Sequence, residues 1–257
     1  MESPVASSYQ LGYVVVSYLI AVLGSMVALS SATRIRQRDG SIHIGNTIAG
    51  GIALGGIGVW SMHFIGMMAL RLDVASSYSM VETGISLVAA IVAVSLALGF
   101  VAKAPERLGR LAFAGFLLGM GVVVMHYLGM YGMKINGYIK WDYTIIGISA
   151  VIAVVAATAA LWLAFNTVGM VLRTAAAAVM GIAVCAMHYT GMQAAEFICT
   201  TPDRGVAPRG FGYLHLTDLP NVVAFGAMTF AALIVVYLVY QETSDDVEDM
   251  PRALKAR

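Results

Sequence analysis

Met62-His-Phe-Ile-Gly-Met67 lies inside an apolar segment, and nearly the same phrase returns as Met125-His-Tyr-Leu-Gly-Met130 and Met187-His-Tyr-Thr-Gly-Met192. Its histidines, His63, His126 and His188, stand 63 and 62 residues apart. Each has a methionine directly before it and another four residues later. Imidazole nitrogen and thioether sulfur are ligands that suit soft metal ions such as copper. The phrase therefore indicates both an internally repeated fold and candidate metal ligands.

The composition is that of an integral membrane protein. Of 257 residues, 60% are hydrophobic and 11% charged, and the mean hydropathy is +0.83, whereas soluble domains carry about 25% charged residues. A helix needs about 20 apolar residues to cross the hydrocarbon layer. Seven stretches meet this length: 11–33, 42–70, 83–102, 111–133, 144–166, 174–198 and 221–241. We predict an all-α integral membrane fold with seven transmembrane helices, a membrane domain over 9–241 and a short cytoplasmic tail over 242–257.

The repeat extends beyond the phrase. Each unit of about 62 residues comprises a helix, a connection and a second helix that carries the phrase near its far end. The first six spans thus form three two-helix repeats, and the seventh helix stands alone. Glycines recur seven residues before each histidine and three after it, at Gly56, Gly119, Gly181, Gly66, Gly129 and Gly191. Small residues let membrane helices approach closely, so we expect the three helices to meet in the interior.

The distribution of basic residues predicts the orientation. Alternate connections and the C-terminal tail hold ten of the fifteen Lys and Arg residues: Arg34, Arg36, Arg38, Lys103, Arg107, Arg110, Arg173, Arg252, Lys255 and Arg257. Cytoplasmic loops carry the excess of such residues. We therefore expect a multi-pass membrane protein with its N-terminus outside, its C-terminus in the cytoplasm and the three phrases in the outer half of the bilayer. The near-neutral net charge gives no nucleic-acid footprint.

Helix geometry selects the candidate ligands. Residues four apart share a helix face, whereas the methionine preceding each histidine is turned by about 100°. The candidate metal ligands are His63, Met67, His126, Met130, His188 and Met192. Alternatively, the histidines are polar packing elements and the methionines fill gaps. The metal interpretation is favoured because three copies keep an expensive polar group in lipid.

The sequence allows two alternative roles for each of two further side chains near the phrase. Cys185 lies three residues before His188 and is either a buried apolar group or a thiolate facing the same site. Glu196, at the far end of the sixth span, is either an interface anchor or a hydrogen-bond partner for an imidazole. Neither is placed among the candidate ligands.

The three phrases, with Gly56-Ile-Gly-Val-Trp-Ser-Met-His-Phe-Ile-Gly-Met67, resemble the bacterial MHYT-domain family over about residues 9–241. The resemblance implies a seven-helix membrane sensor with a proposed copper site near the outer face, which senses oxygen, carbon monoxide or nitric oxide. The first copy departs from the family pattern in having Phe64 where the others have tyrosine. Family members often carry a cytoplasmic output module, which the sixteen residues after the last span are too few to form. The resemblance therefore implies an unknown cytoplasmic signalling partner or a longer product.

Three functions are compatible with this pattern. The favoured one is a sensor without its own catalytic output module, in which copper binds a diatomic ligand or changes redox state. The second is a membrane redox enzyme or haem protein, because histidine and methionine are also axial haem ligands. The third is a copper-handling transporter, which would need further ligands along a route to the cytoplasm.

Overall fold

Helices that span a membrane make up most of the structure, a computed structural model that describes residues 2–37, 39–215 and 218–255. Within these residues six helical spans are long and apolar enough to cross a bilayer, and a shorter apolar segment, Asn221–Tyr237, lies in the last helix. The fold is an all-α membrane protein, as the composition predicts. The helical elements are α1 (Leu11–Ala32), α2 (Ile44–Gly51), a π-helical segment (Ile52–Ser61), α3 (Met62–Ala69), α4 (Met80–Ala102), α5 (Leu108–Gly132), α6 (Tyr143–Asn166), α7 (Met170–Gln193) and α8 (Leu219–Lys255).

The first six spans close into a ring. The span Ile44–Ala69, made of α2, the π segment and α3 and called the central helix below, packs between α1 and α4. The ring continues from α4 to α5, α6 and α7, and α7 returns to α1. The ring therefore alternates the first helices of the three hairpins with the helices that carry the phrase, which confirms the predicted organisation into three two-helix repeats. The seventh span, α8, packs outside this ring against the central helix and α1.

The central helix is the most enclosed span. It is 89% buried over its apolar window, compared with 22–44% for the other five long spans. Glycines make this enclosure possible, because a Cβ atom at Gly24 of α1 would collide with the backbone of Gly58. On the opposite side, a Cβ at Gly55 would lie 2.6 Å from the carbonyl oxygen of Ala90 in α4. Backbones thus meet on both sides, as small residues allow in membranes.

The π segment shifts one of the predicted glycine contacts. Gly119 and Gly181 lie against α6 and α1, and a Cβ at either would come within 2.6–2.8 Å of Val154 or Val22. At Gly56 the nearest atom would be 3.6 Å away, which is ordinary contact, and Gly55 makes the close approach instead. The wider π turn, in which the hydroxyl of Ser61 donates to the carbonyl of Gly56 over 3.0 Å, rotates the facing residue by one position.

Short strands cover one end of the ring, which the sequence analysis did not predict. Three small antiparallel sheets, with strand orders β1-β7-β6, β2-β3 and β5-β4-β8, form this cap. The strands are β1 (Ser3–Pro4), β2 (Ser7–Tyr9), β3 (Leu70–Leu72), β4 (Ser76–Ser79), β5 (Met133–Ile135), β6 (Gly137–Trp141), β7 (Ala195–Cys199) and β8 (Tyr213–His215). Each helix that carries the phrase runs directly into one of the strands β3, β5 and β7.

Two helices end at different residues from those that the sequence predicts. The sixth span ends at Gln193 and not at residue 198, because Ala195–Cys199 pairs with β6 and β1. Cys199 therefore lies in a strand rather than at a helix end, and both Cys185 and Cys199 are free thiols. The last helix continues as far as Lys255 instead of ending near residue 241. Of the predicted tail, 242–255 is helical, and residues 256–257 lie outside the described residues.

Replacing Gly24 by alanine tests the close contact between α1 and the central helix. We expect Gly24→Ala to lower the free energy of unfolding by about 1–3 kcal/mol, the usual cost of overpacking. Unfolding in mixed detergent micelles measures the change. Gly12→Ala is the matched control on the same helix, because a Cβ there meets no atom within 4 Å. Equal stability of the two variants would contradict the contact.

Candidate metal centre

The three histidines lie at one depth in the ring. The helices that carry them all run toward the capped end, and the histidines stand five or six residues before the last residues Ala69, Gly132 and Gln193. At 1.5 Å per residue this is about 7–9 Å from the helix ends. The equal depth agrees with the sequence prediction.

The imidazole rings of these histidines form a closed triangle. The Nδ1 atoms of His63 and His188 are 3.1 Å apart, those of His63 and His126 are 3.1 Å apart, and those of His126 and His188 are 3.4 Å apart. Ring centroids are separated by 4.8–5.2 Å, and the planes stand nearly perpendicular to one another. The side chains are 0–1% exposed. One ring nitrogen from each hairpin thus points to a common centre.

The glycines of the phrase form the outer wall of this triangle. A Cβ at Gly129 would collide with Nε2 of His63, one at Gly191 with Nε2 of His126, and one at Gly66 with Nε2 of His188. The glycine of each copy therefore accommodates the histidine of another copy, in a closed cycle. The packing role assigned to these glycines from sequence is correct. Their pairing with the histidines could not be read from the sequence, because it depends on how the three helices are arranged.

Aromatic rings fix the imidazoles from the side. Each histidine meets the ring of the next residue edge-on, with centroids 4.7–4.8 Å apart. Tyr127 and Tyr189 are held in turn by hydrogen bonds between their hydroxyls and those of Ser149, over 2.8 Å, and Ser17, over 2.9 Å.

In the first copy a tryptophan, rather than a tyrosine, makes the hydrogen bond to the neighbouring helix. Phe64 has no hydroxyl, and Trp60 donates its indole N–H to the hydroxyl of Ser86 in α4 over 3.1 Å. Trp60 also packs on Phe64 with the ring centroids 4.9 Å apart. Each of the three motif helices is therefore tied to its neighbour by a buried hydroxyl near the triangle.

The triangle has the dimensions of a three-imidazole metal site. A point equidistant from three nitrogens about 3.2 Å apart lies about 1.9 Å from each, and imidazole nitrogens bind zinc at about 2.0–2.1 Å. Without a cation, three Nδ1 atoms in mutual contact cannot all be satisfied, because any two lone pairs that face each other need a proton between them. One ion at the centre satisfies all three. These buried histidines could therefore hold a metal ion.

The opposite nitrogen of each ring, Nε2, faces away from the centre of the triangle. Nε2 of all three histidines is buried without a hydrogen-bond partner among the described residues. Gly191 packs against Nε2 of His126, and Gly66 packs against Nε2 of His188. A metal-bound imidazole usually donates its second N–H to a carboxylate, a carbonyl or a water, and the described residues supply no such acceptor in hydrogen-bonding geometry. The Nε2–H tautomer leaves Nδ1 free to bind.

The methionines of the phrase fall into two groups. Met67, Met130 and Met192 belong to one buried apolar cluster between the triangle and the strands, the cap cluster, in which Phe64, Ile65, Leu70, Tyr78, Met133, Phe197, Leu219 and Val223 are the other buried members. Met125 and Met187 pack in two other clusters of the ring, and Met62 is 1% exposed. The three methionines favoured by helix geometry thus share a location on the capped side of the histidines.

The remaining sequence candidates lie away from the triangle. Glu196 is in β7 and pairs with Lys140 at the surface of the cap over 3.1 Å, because the strand carries it out of the helix. Cys185 is half-buried and interacts with Ser17. His43 caps α2 by accepting the backbone N–H of Asn46 over 3.1 Å.

The ring, the repeated hairpins and the histidine triangle define a class of membrane domain in which three two-helix repeats bring one histidine each to a buried centre. The chain belongs to the MHYT family, described as a bacterial signalling protein N-terminal repeat, whose sequence profile matches residues 1–45, 56–114 and 119–177. The first two copies of the phrase fall within these ranges, and the third, at 187–192, lies beyond them.

Three relatives illustrate the family. The chain is 36% identical over 90% of its length to the bifunctional diguanylate cyclase/cyclic di-GMP phosphodiesterase MucR of Pseudomonas aeruginosa. It is 28% identical over 74% of its length to signaling protein YkoW of Bacillus subtilis, and 29% identical over 75% to cyclic di-GMP phosphodiesterase NbdA of Pseudomonas aeruginosa. The chain spans 34%, 24% and 26% of these relatives, respectively. No solved structure matches it.

Replacing Gly191 by alanine tests the cradle that holds His126. The added Cβ displaces the imidazole, and we expect metal affinity to fall by about 10–100-fold, as it does when groups that orient a ligand are lost. Competition titration with a chelator measures the affinity. Gly147→Ala is the control, because a Cβ at Gly147 meets no atom within 4 Å. Unchanged affinity in Gly191→Ala would show that the ring position does not depend on this contact.

Proposed function

We propose that this chain is a membrane sensory domain in which His63, His126 and His188 hold one copper ion near the outer face. The observation that carries the proposal is the Nδ1 triangle with its 3.1–3.4 Å sides. Its size supports a single bound ion. The donor chemistry supports copper, because neutral imidazoles with neighbouring thioethers favour a soft ion, and the described residues place no carboxylate in the cluster.

The cap-side methionines complete the proposed donor set. Met67, Met130 and Met192 share one buried cluster and each follows a histidine of the triangle by four residues, and we assign them as additional or alternative ligands. Bound copper supplies a soft centre that, as Cu(I), takes oxygen, carbon monoxide or nitric oxide, or changes redox state. The protein contributes the three imidazoles, the glycine cradle that orients them and the apolar surroundings that exclude water.

The close packing of the triangle supports copper over haem. The three rings are in mutual edge-to-face contact, which leaves no flat space between two of them for a porphyrin. No specific feature of the described residues favours a redox enzyme or a copper transporter, and neither is proposed.

Signal transfer would use the helices that the triangle joins. One imidazole comes from each hairpin, so a change in their spacing displaces three helices relative to one another. α8 packs against both the π segment and α3, the part of the central helix that carries His63. We propose that α8 transmits the displacement toward the cytoplasm, to a signalling partner or an output domain that makes or degrades cyclic di-GMP, as the names of relatives indicate. Such coupling needs two packing states that differ in affinity for the ligand.

Copper binding to the histidines is the direct test. Protein purified from copper-replete cells should contain about one copper per chain, and each of His63→Ala, His126→Ala and His188→Ala should lower the affinity by more than about 100-fold, since each removes a ligand rather than a group that orients one. Metal analysis, optical spectra and EPR before and after carbon monoxide measure this. A copper-free protein would contradict the proposal, and a Soret band would identify haem.

The methionines provide matched controls for the same experiment. Met67→Leu should weaken binding of Cu(I), whereas Met62→Leu, at the position turned away from the site, should leave it unchanged. Equal effects of the two substitutions would remove the methionines from the proposed ligand set while leaving the histidines in it.

We further propose that the capped end faces the outside of the inner membrane and that the C-terminus is cytoplasmic. Basic residues between α1 and α2 and between α4 and α5 lie at the uncapped end, which supports this orientation. Asp39 and Asp203 are exposed at opposite ends. In intact spheroplasts an impermeant maleimide should label Asp203→Cys, and it should label Asp39→Cys only after permeabilisation. The reverse pattern would invert the topology.

A further inference from the structure

An apolar cavity lies inside the ring on the side of the histidines away from the cap. Its volume is about 40 Å³, and every lining side chain is Ala, Val, Leu or Met. One water needs about 10–15 Å³ on the same measure, so the cavity has room for a small molecule. Its walls come from the central helix, α4, α5, α6 and α7.

Three valines place this cavity directly beneath the triangle. Val59, Val122 and Val184 all line it, and each stands four residues before a histidine of the phrase. In the α-helices α5 and α7, residues four apart share a helix face and differ by about 6 Å along the axis. The cavity also touches Met187, the residue before His188. It therefore begins about one helical turn from the imidazoles.

Small side chains on α6 create the space and bring it toward lipid. Ala153 and Ala157 are buried in its wall, and Ala156 and Ala183, which also line it, are only partly buried. The cavity therefore approaches the lipid-facing surface between α6 and α7. On the capped side the triangle is covered by the cap cluster, in which Met67, Met130 and Met192 are at most 2% exposed.

We propose that this cavity is the docking site and membrane-side route by which a small apolar diatomic molecule reaches the histidine triangle. An apolar cavity is poorly hydrated and binds apolar guests such as xenon. Its volume suits a small guest, and its walls offer charged ligands no partner. This inference rests on the proposed copper site for its function, whereas occupancy of the cavity can be measured without metal.

Xenon binding tests the cavity in the metal-free protein. With methyl-labelled methionine, the NMR signals of Met180 and Met187, which line the cavity, should shift saturably with xenon pressure. The exposed Met170 and Met228 should change only linearly. Ala157→Leu should abolish the saturable shifts, and Ala159→Leu, on the exposed face of the same helix, should retain them. Ala156→Leu replaces Ala157→Leu if that variant does not fold. Absence of saturable shifts in the wild type, or their persistence in the filled variants, would overturn the proposal.

Carbon monoxide rebinding tests the route. After photolysis of the copper-loaded protein, association in Ala157→Leu should slow by about tenfold, which corresponds to a barrier higher by about 1.4 kcal/mol, with unchanged copper content. Ala159→Leu should rebind at the wild-type rate. An unchanged rate in Ala157→Leu would overturn the route. If the protein bound no copper, the proposed function would fail, while the xenon measurement would still decide whether the cavity takes an apolar guest.

Discussion

The contact between each buried imidazole and the glycine of another copy is the constraint on which the rest of the structure depends. Burying three histidines in lipid is costly, and in this site the three Nδ1 atoms face one another while the glycine of another copy forms a wall against each Nε2. Gly66, Gly129 and Gly191 supply that wall. The cycle requires the three motif helices to meet at equal depth.

The π segment distinguishes the first two-helix repeat from the other two. Only the central helix contains this segment among the described residues, and it is also the most enclosed span. The wider turn makes Gly55 rather than Gly56 face α4, and yet His63 reaches the triangle at the same depth as its counterparts. The wider π turn thus compensates for the changed spacing between the glycine that contacts α4 and His63, and His63 keeps its position in the triangle.

The sequence could predict the helices and the three histidines, because hydropathy and repetition are local signals. It could also favour Met67 over Met62, since residues four apart share a helix face. The strands of the cap escaped prediction because segments such as Leu70–Leu72 and Ala195–Cys199 are short and pair only with distant partners. The sequence does not reveal that Gly129 packs against His63, or that Val122 lines a cavity. Both features depend on how helices distant in the sequence pack together.

The cyclic order of the glycine contacts has a consequence for how the protein is made. His63 is cradled by Gly129, His126 by Gly191 and His188 by Gly66, so the first and last repeats must meet before the cycle is complete. A chain emerging from the ribosome inserts its hairpins one after another, and two hairpins leave the triangle open. The centre is therefore assembled only after the sixth span has entered the bilayer, which makes it a marker that all three hairpins have inserted.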